Sequence, residues 1–318
     1  MFMQIFHKAR SSLLILMMIL LLSFLLFTDF GDSQSRLIDE VFNYGHLILF
    51  GLVVIFILWL INRRTWPCRD IKLYVLAGAV TILLGLASEF IQLFTPGRFF
   101  ELVDILYDIT GTVAFLALTY PLPGNTRASV RFTFKVVPLA MILAASLPMV
   151  AVGIDSWDMK RDFPLMASFE TSWEMSRWEA KESTFTRSTN HAFHGNHSLM
   201  AILSPGEYPG VSLEQLEPVW CGYNRFCFDA FLEGSQPLRM TIRVHDTNHN
   251  DTLHDRYNMG FVLLPGNNHL SFTLEDIRKA PRGREMDMRG MAGIIIFSYR
   301  LQEQRTVYFD NFRLEKNG

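Results

Sequence analysis

Glu89 and Gln92 stand three residues apart and Asp104 and Asp108 four apart, spacings that put each pair on one face of a helix. His46 lies upstream of them and Arg98 lies between them. A carboxyl group at Glu89 or Asp104 suits general acid or base work, and His46 with Arg98 suits an anionic group such as a lipid phosphate. Gln92, Arg98 and Asp108 add binding groups to the same place. The competing reading is a buried ion-pair network that pins two helices together. Either way Glu89 needs a partner, because an ionised carboxylate inside a membrane is costly unless it is paired or wetted, and Arg98 or His46 is the natural candidate. Gly85 falls four residues before Glu89 and Gly111 three after Asp108, so small residues extend both faces where helices approach closely.

The elements that carry these groups are apolar. Five stretches, residues 12–27, 44–61, 73–94, 105–120 and 136–154, approach the roughly 20 residues a helix needs to cross the hydrocarbon layer. The first resembles a secretory signal in having Lys8 and Arg10 before an apolar core, but residues 25–29 offer no small-x-small cleavage site, so it reads as an uncleaved span. Positive charge sets the orientation. Lys8, Arg10, Arg63, Arg64, Arg69, Lys72, Arg127, Arg131 and Lys135 fall before span one or between spans two and three or four and five, whereas the alternate connections hold only Arg36 and Arg98. The N-terminus is therefore expected in the cytoplasm and residues 155–318 outside it. With that topology His46, Glu89, Gln92, Asp104 and Asp108 converge on the outer leaflet.

Composition agrees with two environments. The chain has 29 Lys and Arg against 31 Asp and Glu, but residues 1–154 hold 11 and 9 of these among long uncharged runs. Residues 155–318 hold the other 18 and 22 in an ordinary soluble mixture. The expected domains are therefore a transmembrane part at 1–154 and an extracytoplasmic part at 155–318. A net charge of -2 without a block of one sign excludes nucleic-acid binding driven by general positive charge. A wholly cytosolic enzyme is excluded as well. Three scattered cysteines, Cys68, Cys221 and Cys227, make neither a disulfide framework nor a cysteine metal site.

The run Ser88-Glu89-Phe90-Ile91-Gln92-Leu93-Phe94-Thr95-Pro96-Gly97-Arg98, followed by Asp104 and Gly111 and preceded by His46, resembles the signature of the VanZ-like membrane proteins over about residues 36–121. That signature is an E-x-x-Q near a span end, a P-x-R turn, then an Asp and an Asn-x-x-Gly, and this chain carries Asp108 where Asn is usual. The resemblance implies a multi-pass protein of the bacterial cytoplasmic membrane with Glu89, Gln92, Arg98 and Asp104 as its characteristic positions. The family takes its name from a protein that raises resistance to the glycopeptide teicoplanin.

Beyond residue 155 the period of the sequence changes. Residues 238–245 alternate apolar and polar, as a strand with one buried face does, and residues 225–232, 269–274, 293–299 and 305–314 behave similarly. Turn residues at 234–235, 265–268 and 281–283 separate them, so an all-β sandwich is expected. The opening Phe169-Glu170 with Trp173, the segment 194–199, the turn at 263–267 and the closing segment 307–314 resemble the galactose-binding-like jelly roll of carbohydrate-binding modules. That resemblance implies glycan binding, and in some relatives a structural calcium, for which Glu170 and Asp310 are the oxygen ligands here. No other cofactor is expected. His245 and His249 sit in a loop crowded with His and Asp, which reads as a polar surface or as the hydrogen-bonding wall of a sugar site. Trp173, Trp178, Tyr208 and Tyr257 are candidate aromatic platforms. Cys221 and Cys227 bridge only if a turn at Gly222 brings them together.

The expected protein is therefore a five-span membrane bundle that anchors an outward jelly roll. Binding of an envelope glycan is favoured, with membrane lipids as further partners and no nucleic acid. A membrane-embedded enzyme acting on a phosphate-bearing envelope substrate is the competing function. No Ser-His-Asp order, phosphate loop or zinc motif supports the enzyme, and polar groups confined to one leaflet leave no path for transport.

Overall fold

The computed structural model describes residues 36–61, 69–94 and 101–316. The expected first span at 12–27, Arg98 and Cys68 lie outside the described residues. The chain divides into two compact units, Met1–Ala151 and Val152–Gly318.

In the first unit, Arg36–Ile61 forms α1, Ile71–Gln92 forms α2 and Leu102–Thr119 forms α3, while α4, Ala128–Asp162, begins there. All four are long and apolar enough to cross a membrane, so among the described residues the count is four, where the sequence suggested five. Hydropathy marks the hydrocarbon layer rather than the helix end, and this explains the longer helices. α1 begins at Arg36, eight residues before its apolar stretch, which puts His46 in the third turn. Asp70 caps α2 by accepting the Lys72 amide at 3.0 Å.

α1, α2 and α3 all pack on one another, with α1 lying chiefly along α3. Gly111 permits the closest approach: a Cβ there would sit 2.0 Å from the carbonyl oxygen of Leu47. At Gly85 a Cβ would meet Asp108 Oδ2 at 2.6 Å, so the small residues expected on these faces are where α3 meets α1 and α2. Val75, Leu76, Leu83 and Leu84 point away from the bundle and are exposed, as a lipid-facing surface requires.

The second unit begins with the last residues of α4 and continues as a β-sandwich. One antiparallel sheet has the order β3-β4-β11-β6-β9, with β1 also paired to β11, and the other has the order β2-β5-β10-β7-β8. The strands are β1 (Leu165–Ala167), β2 (Trp178–Lys181), β3 (Ser183–Ser188), β4 (Ser198–Leu203), β5 (Gly210–Leu213), β6 (Arg225–Leu232), β7 (Leu238–Asp246), β8 (Tyr257–Leu263), β9 (Gly266–Thr273), β10 (Met291–Phe297) and β11 (Arg305–Glu315). A short helix, α5 (Leu274–Lys279), follows β9. Alternation decides which side chains enter the core: Leu238, Met240, Ile242 and Val244 of β7 face inward onto Phe228, Phe309 and Phe312 of the other sheet. Asp155, in the part of α4 that belongs to this unit, receives both Nε and Nη2 of the buried Arg177, at 2.7 to 3.0 Å. Arg177 also donates to the backbone oxygen of Met166. Cys221 and Cys227 are unbridged, because Cys227 lies inside β6 opposite Ser271 whereas Cys221 is exposed in the preceding turn.

Candidate functional site

Helix ends bring the first cluster together. Asp104 is in the first turn of α3, Asp108 one turn later, Glu89 in the last turn of α2 and His46 in α1. All four are buried, Glu89 completely, and Gln92 is buried beside Glu89 on its face of α2. His46 Nδ1 lies 3.1 Å from Asp108 Oδ1, and Nε2 lies 3.8 Å from Asp104 Oδ2. Glu89 Oε2 accepts the amide of Glu101 at 3.2 Å. Among the described residues, neither Glu89 Oε1 nor Asp108 Oδ2 has a hydrogen-bond partner. The structure brings His46, Glu89, Asp104 and Asp108 together, with Asp108 beside the imidazole, and buries Gln92 one turn after Glu89 on α2.

A second candidate lies on the outer face of the β2-β5-β10-β7-β8 sheet. Residues that alternate with the core side chains form rows across the strands. Lys181, Gly210, Phe297 and Thr241 form one row, and Glu179, Ser212, Ile295 and Arg243 the next. Of these, Lys181, Gly210, Ser212, Arg243, Ile295 and Phe297 line, together with Tyr208, a groove of about 250 Å³. The Arg243 guanidinium stacks over Phe297 at 5.4 Å, and Lys181 Nζ lies 5.8 Å from the ring of Tyr208. Tyr208 in turn packs against Tyr299 and Phe297, at 5.4 and 5.8 Å, and both tyrosines keep exposed ring surface. Arg243 forms no ion pair among the described residues, and its Nε is buried without a partner. Burial and the neighbouring Arg256 guanidinium push it below the ordinary arginine value. His245 continues the same face of β7 beside Gly293, where a Cβ would come within 2.5 Å of the imidazole. Burial, His249 and Arg243 lower His245 to about 4, so the ring is neutral in the folded protein at physiological pH.

The remaining expected groups are elsewhere. Tyr257 is a core residue, packed edge-on against Phe272 and paired with Val244, so its ring offers no platform. Trp178 is core as well, against Phe169 and Phe312. Trp173 is exposed in a 3-10 turn, Trp173–Arg177, apart from the residues that line the groove. His249 lies 5.2 Å from His245 and hydrogen-bonds to the carbonyl oxygen of Asp255. Two acids of its loop are held by one arginine: Arg284 clasps Asp246 at 2.6 and 2.8 Å and Asp255 at 2.5 Å.

Glu170 and Asp310, expected as calcium ligands, both accept backbone amides. Glu170 Oε1 accepts the amides of Asn196 and His197, both at 2.8 Å, and Asp310 Oδ2 accepts those of Phe193 and His194. Asp310 Oδ1 takes the amide of Asn311. Burial pushes Asp310 up to about 6 despite these bonds. For Glu170 the amides outweigh its partial burial and hold it below the usual carboxylate value. The two carboxylates thus fasten one loop, and among the described residues no third acid or histidine joins them as a metal ligand.

Sequence reading missed Arg243, Lys181 and Phe297. Arg243 and Phe297 were visible as the polar or outward positions of two alternating strands. Lys181 carried no signal, because only the pairing of β2 with β5 brings it to the groove.

No protein-family model matches the chain, and no curated protein matches it in sequence. The VanZ-like resemblance therefore rests on its motif residues alone. Solved structures similar to the sandwich include an agarase and carbohydrate-binding modules. An exo-beta-agarase matches with 14% identity and a TM-score of 0.40, covering 48% of this chain and 25% of that one. The family 11 carbohydrate-binding module from Clostridium thermocellum, solved with a beta-1,3-1,4-mixed-linked tetrasaccharide, matches with 13% identity and a TM-score of 0.37, covering 48% and 95%. The CBM22-1 xylan-binding domain from Paenibacillus barcinonensis Xyn10C matches with 18% identity and a TM-score of 0.35, covering 49% and 97%. Likeness at this level concerns the fold alone. The chain joins membrane-capable helices to a β-sandwich similar to carbohydrate-binding modules.

Proposed function

We propose that this protein is a membrane-anchored glycan-binding protein of the cell envelope, and that its ligand is an anionic sugar chain held on the outer face of the β2-β5-β10-β7-β8 sheet. The observation that carries this reading is Arg243: a partly buried guanidinium, with no ion pair among the described residues, stacked on Phe297 in a groove walled by Tyr208 and Lys181. Aromatic rings offer flat apolar surface to a sugar ring, while Arg and Lys donate to carboxylate or phosphate oxygens and Ser212 to hydroxyls. In this reading the N-terminus is cytoplasmic and the sandwich extracytoplasmic, as the distribution of Lys and Arg supports. Alkaline phosphatase fused after Gly318 is then active, and an inactive fusion overturns the orientation.

Calorimetric titration of the full chain in nanodiscs with polygalacturonate, poly(glycerol phosphate) and a neutral mixed-linkage glucan tests the ligand. The expected result is binding to an acidic polymer that weakens with salt, and a loss of roughly 10- to 100-fold on Arg243→Ala, the worth of a charge-assisted hydrogen bond. Failure to bind any of the three polymers removes the glycan reading. Preference for the neutral glucan keeps the glycan and removes the anion. The loop held by Glu170 and Asp310 closes without an ion in this reading, so chelation with EGTA leaves the melting temperature of the sandwich unchanged; a fall instead identifies a structural calcium.

A further inference from the structure

We infer that His46, Glu89 and Asp104 form the binding site of one divalent first-row transition ion, with Asp108 as the group that orients His46. Among the described residues this trio is the one set of three metal-capable side chains whose ligand atoms all lie within 4.8 Å of one another. The trio spans three helices, so no single helix end or run of acids creates it.

Two further observations point to a cation. Glu89 is completely buried, and Oε1 lacks a hydrogen-bond partner among the described residues while Oε2 is held by the Glu101 amide. The held oxygen fixes the carboxylate, and the open one is the atom available to a metal. The second observation is the imidazole. Nδ1 lies 3.1 Å from an Asp108 carboxylate oxygen, and with its proton held there Nε2, 3.8 Å from Asp104 Oδ2, is the nitrogen that would face a metal. Carboxylate, imidazole and metal in that sequence is the usual support of a ligating histidine. The separation of Nε2 and Asp104 Oδ2, 3.8 Å, is too long for a hydrogen bond. It is close to the roughly 3.4 Å that separates two ligands sharing a tetrahedral ion with bonds of about 2.1 Å.

The donor set selects the class of ion. Calcium and magnesium take oxygen ligands, whereas an imidazole with two carboxylates suits zinc, manganese or iron(II). Three protein ligands leave at least one position open, the arrangement of sites that exchange water or substrate rather than of closed structural sites. Gly85 fits this picture, since a Cβ there would strike Asp108 Oδ2 at 2.6 Å and push the orienting carboxylate away. The inference stands independently of the glycan reading, which concerns the sandwich unit alone.

The test uses the full chain in detergent, stripped with chelator and then equilibrated separately with Zn²⁺, Mn²⁺, Mg²⁺ and Ca²⁺ before elemental analysis. The expected result is about one Zn²⁺ or Mn²⁺ per chain, as three protein ligands require. Glu89→Gln and His46→Gln are expected to lose that ion while eluting as the wild type does. Asp108→Asn keeps all three ligands and is expected to weaken binding roughly 10- to 100-fold with stoichiometry preserved at saturation. Wild-type chain that retains no transition ion overturns the proposal whatever the variants do, as does a folded Glu89→Gln chain that binds like wild type. Should the variants aggregate, Mn²⁺-loaded wild type decides by electron spin echo: nitrogen modulation from one imidazole is expected, and its absence overturns the site.

Discussion

Both units bury carboxylates, but they treat them differently. In the sandwich, Asp155 is clasped by Arg177, Asp246 by Arg284 and the Asp287 amide, and Asp229 by His269, Asn311 and Arg313. Asp310 takes three backbone amides. Both oxygens of each of these carboxylates have a donor. In the helical unit, Glu89 has one amide and Asp108 one imidazole, and in each an equally buried second oxygen lacks a donor among the described residues. Buried acids of the first kind fix a fold. Those of the second kind leave an electrostatic demand that the fold itself does not meet, and a ligand is the simplest way to meet it.

The sharpest way to break this contrast is to remove one acid from each unit. Asp155→Ala leaves the Arg177 charge buried and unpaired, so the unit Val152–Gly318, which contains its whole core, should lose about 3–5 kcal/mol in urea unfolding. Glu89→Gln keeps an oxygen for the Glu101 amide, and in metal-free protein it should change the stability of the helical unit by less than about 1 kcal/mol, the net worth of one hydrogen bond. Equal losses in the two variants would make Glu89 a structural residue and remove the contrast.

The two units also differed in how much of them the sequence disclosed. β6 was expected at 225–232 and is found there, and β7 differs by one residue, because long strands with one buried face announce themselves by alternation. β1, β2 and β5 are three or four residues long, too short to show a period. The groove suffered most from this, since Lys181 and Ser212 sit on two of those short strands and reach Arg243 only through strand register. The helical cluster was more legible, because i+3 and i+4 spacing and the alternating charge of the loops suffice to gather it. What spacing could not reveal is which oxygen each neighbour satisfies. Asp108 taking His46, and Glu89 keeping an open oxygen, depend on side-chain direction.

A smaller effect is expected at the helix contacts that hold the cluster. Gly111→Ala sets a methyl group against the backbone oxygen of Leu47 at 2.0 Å, and backbone cannot turn aside as a flexible side chain can. The cost should be about 1–3 kcal/mol in thermal unfolding in detergent, with transition-ion binding weakened in parallel as α1 moves off α3. Gly124→Ala, where an added Cβ meets nothing within 4 Å, is the control and should leave both unchanged. Loss of stability without loss of the ion would mean that α1 contributes no ligand, and would remove His46 from the site.

The smallest effect concerns two groups of the sandwich that titrate against each other. His245 is lowered from 6.5 to about 4, so over that interval the unfolded chain binds more protons and stability falls as the pH falls. Asp310 is raised from 3.8 to about 6, so there the folded chain binds more protons and stability is greatest in acid and falls as the pH rises through 6. Between about pH 4 and 6 the two slopes oppose, and their contributions to the wild-type profile partly offset each other. His245→Gln should leave the Asp310 slope, with stability decreasing as pH rises from 4 to 6; Asp310→Asn should leave the His245 slope, with stability increasing over the same interval. Urea midpoints of the Val152–Gly318 unit across that interval read both. Parallel profiles in the two variants would mean that neither group titrates against its burial, and that the amides around Asp310 offset its burial fully, as those around Glu170 do.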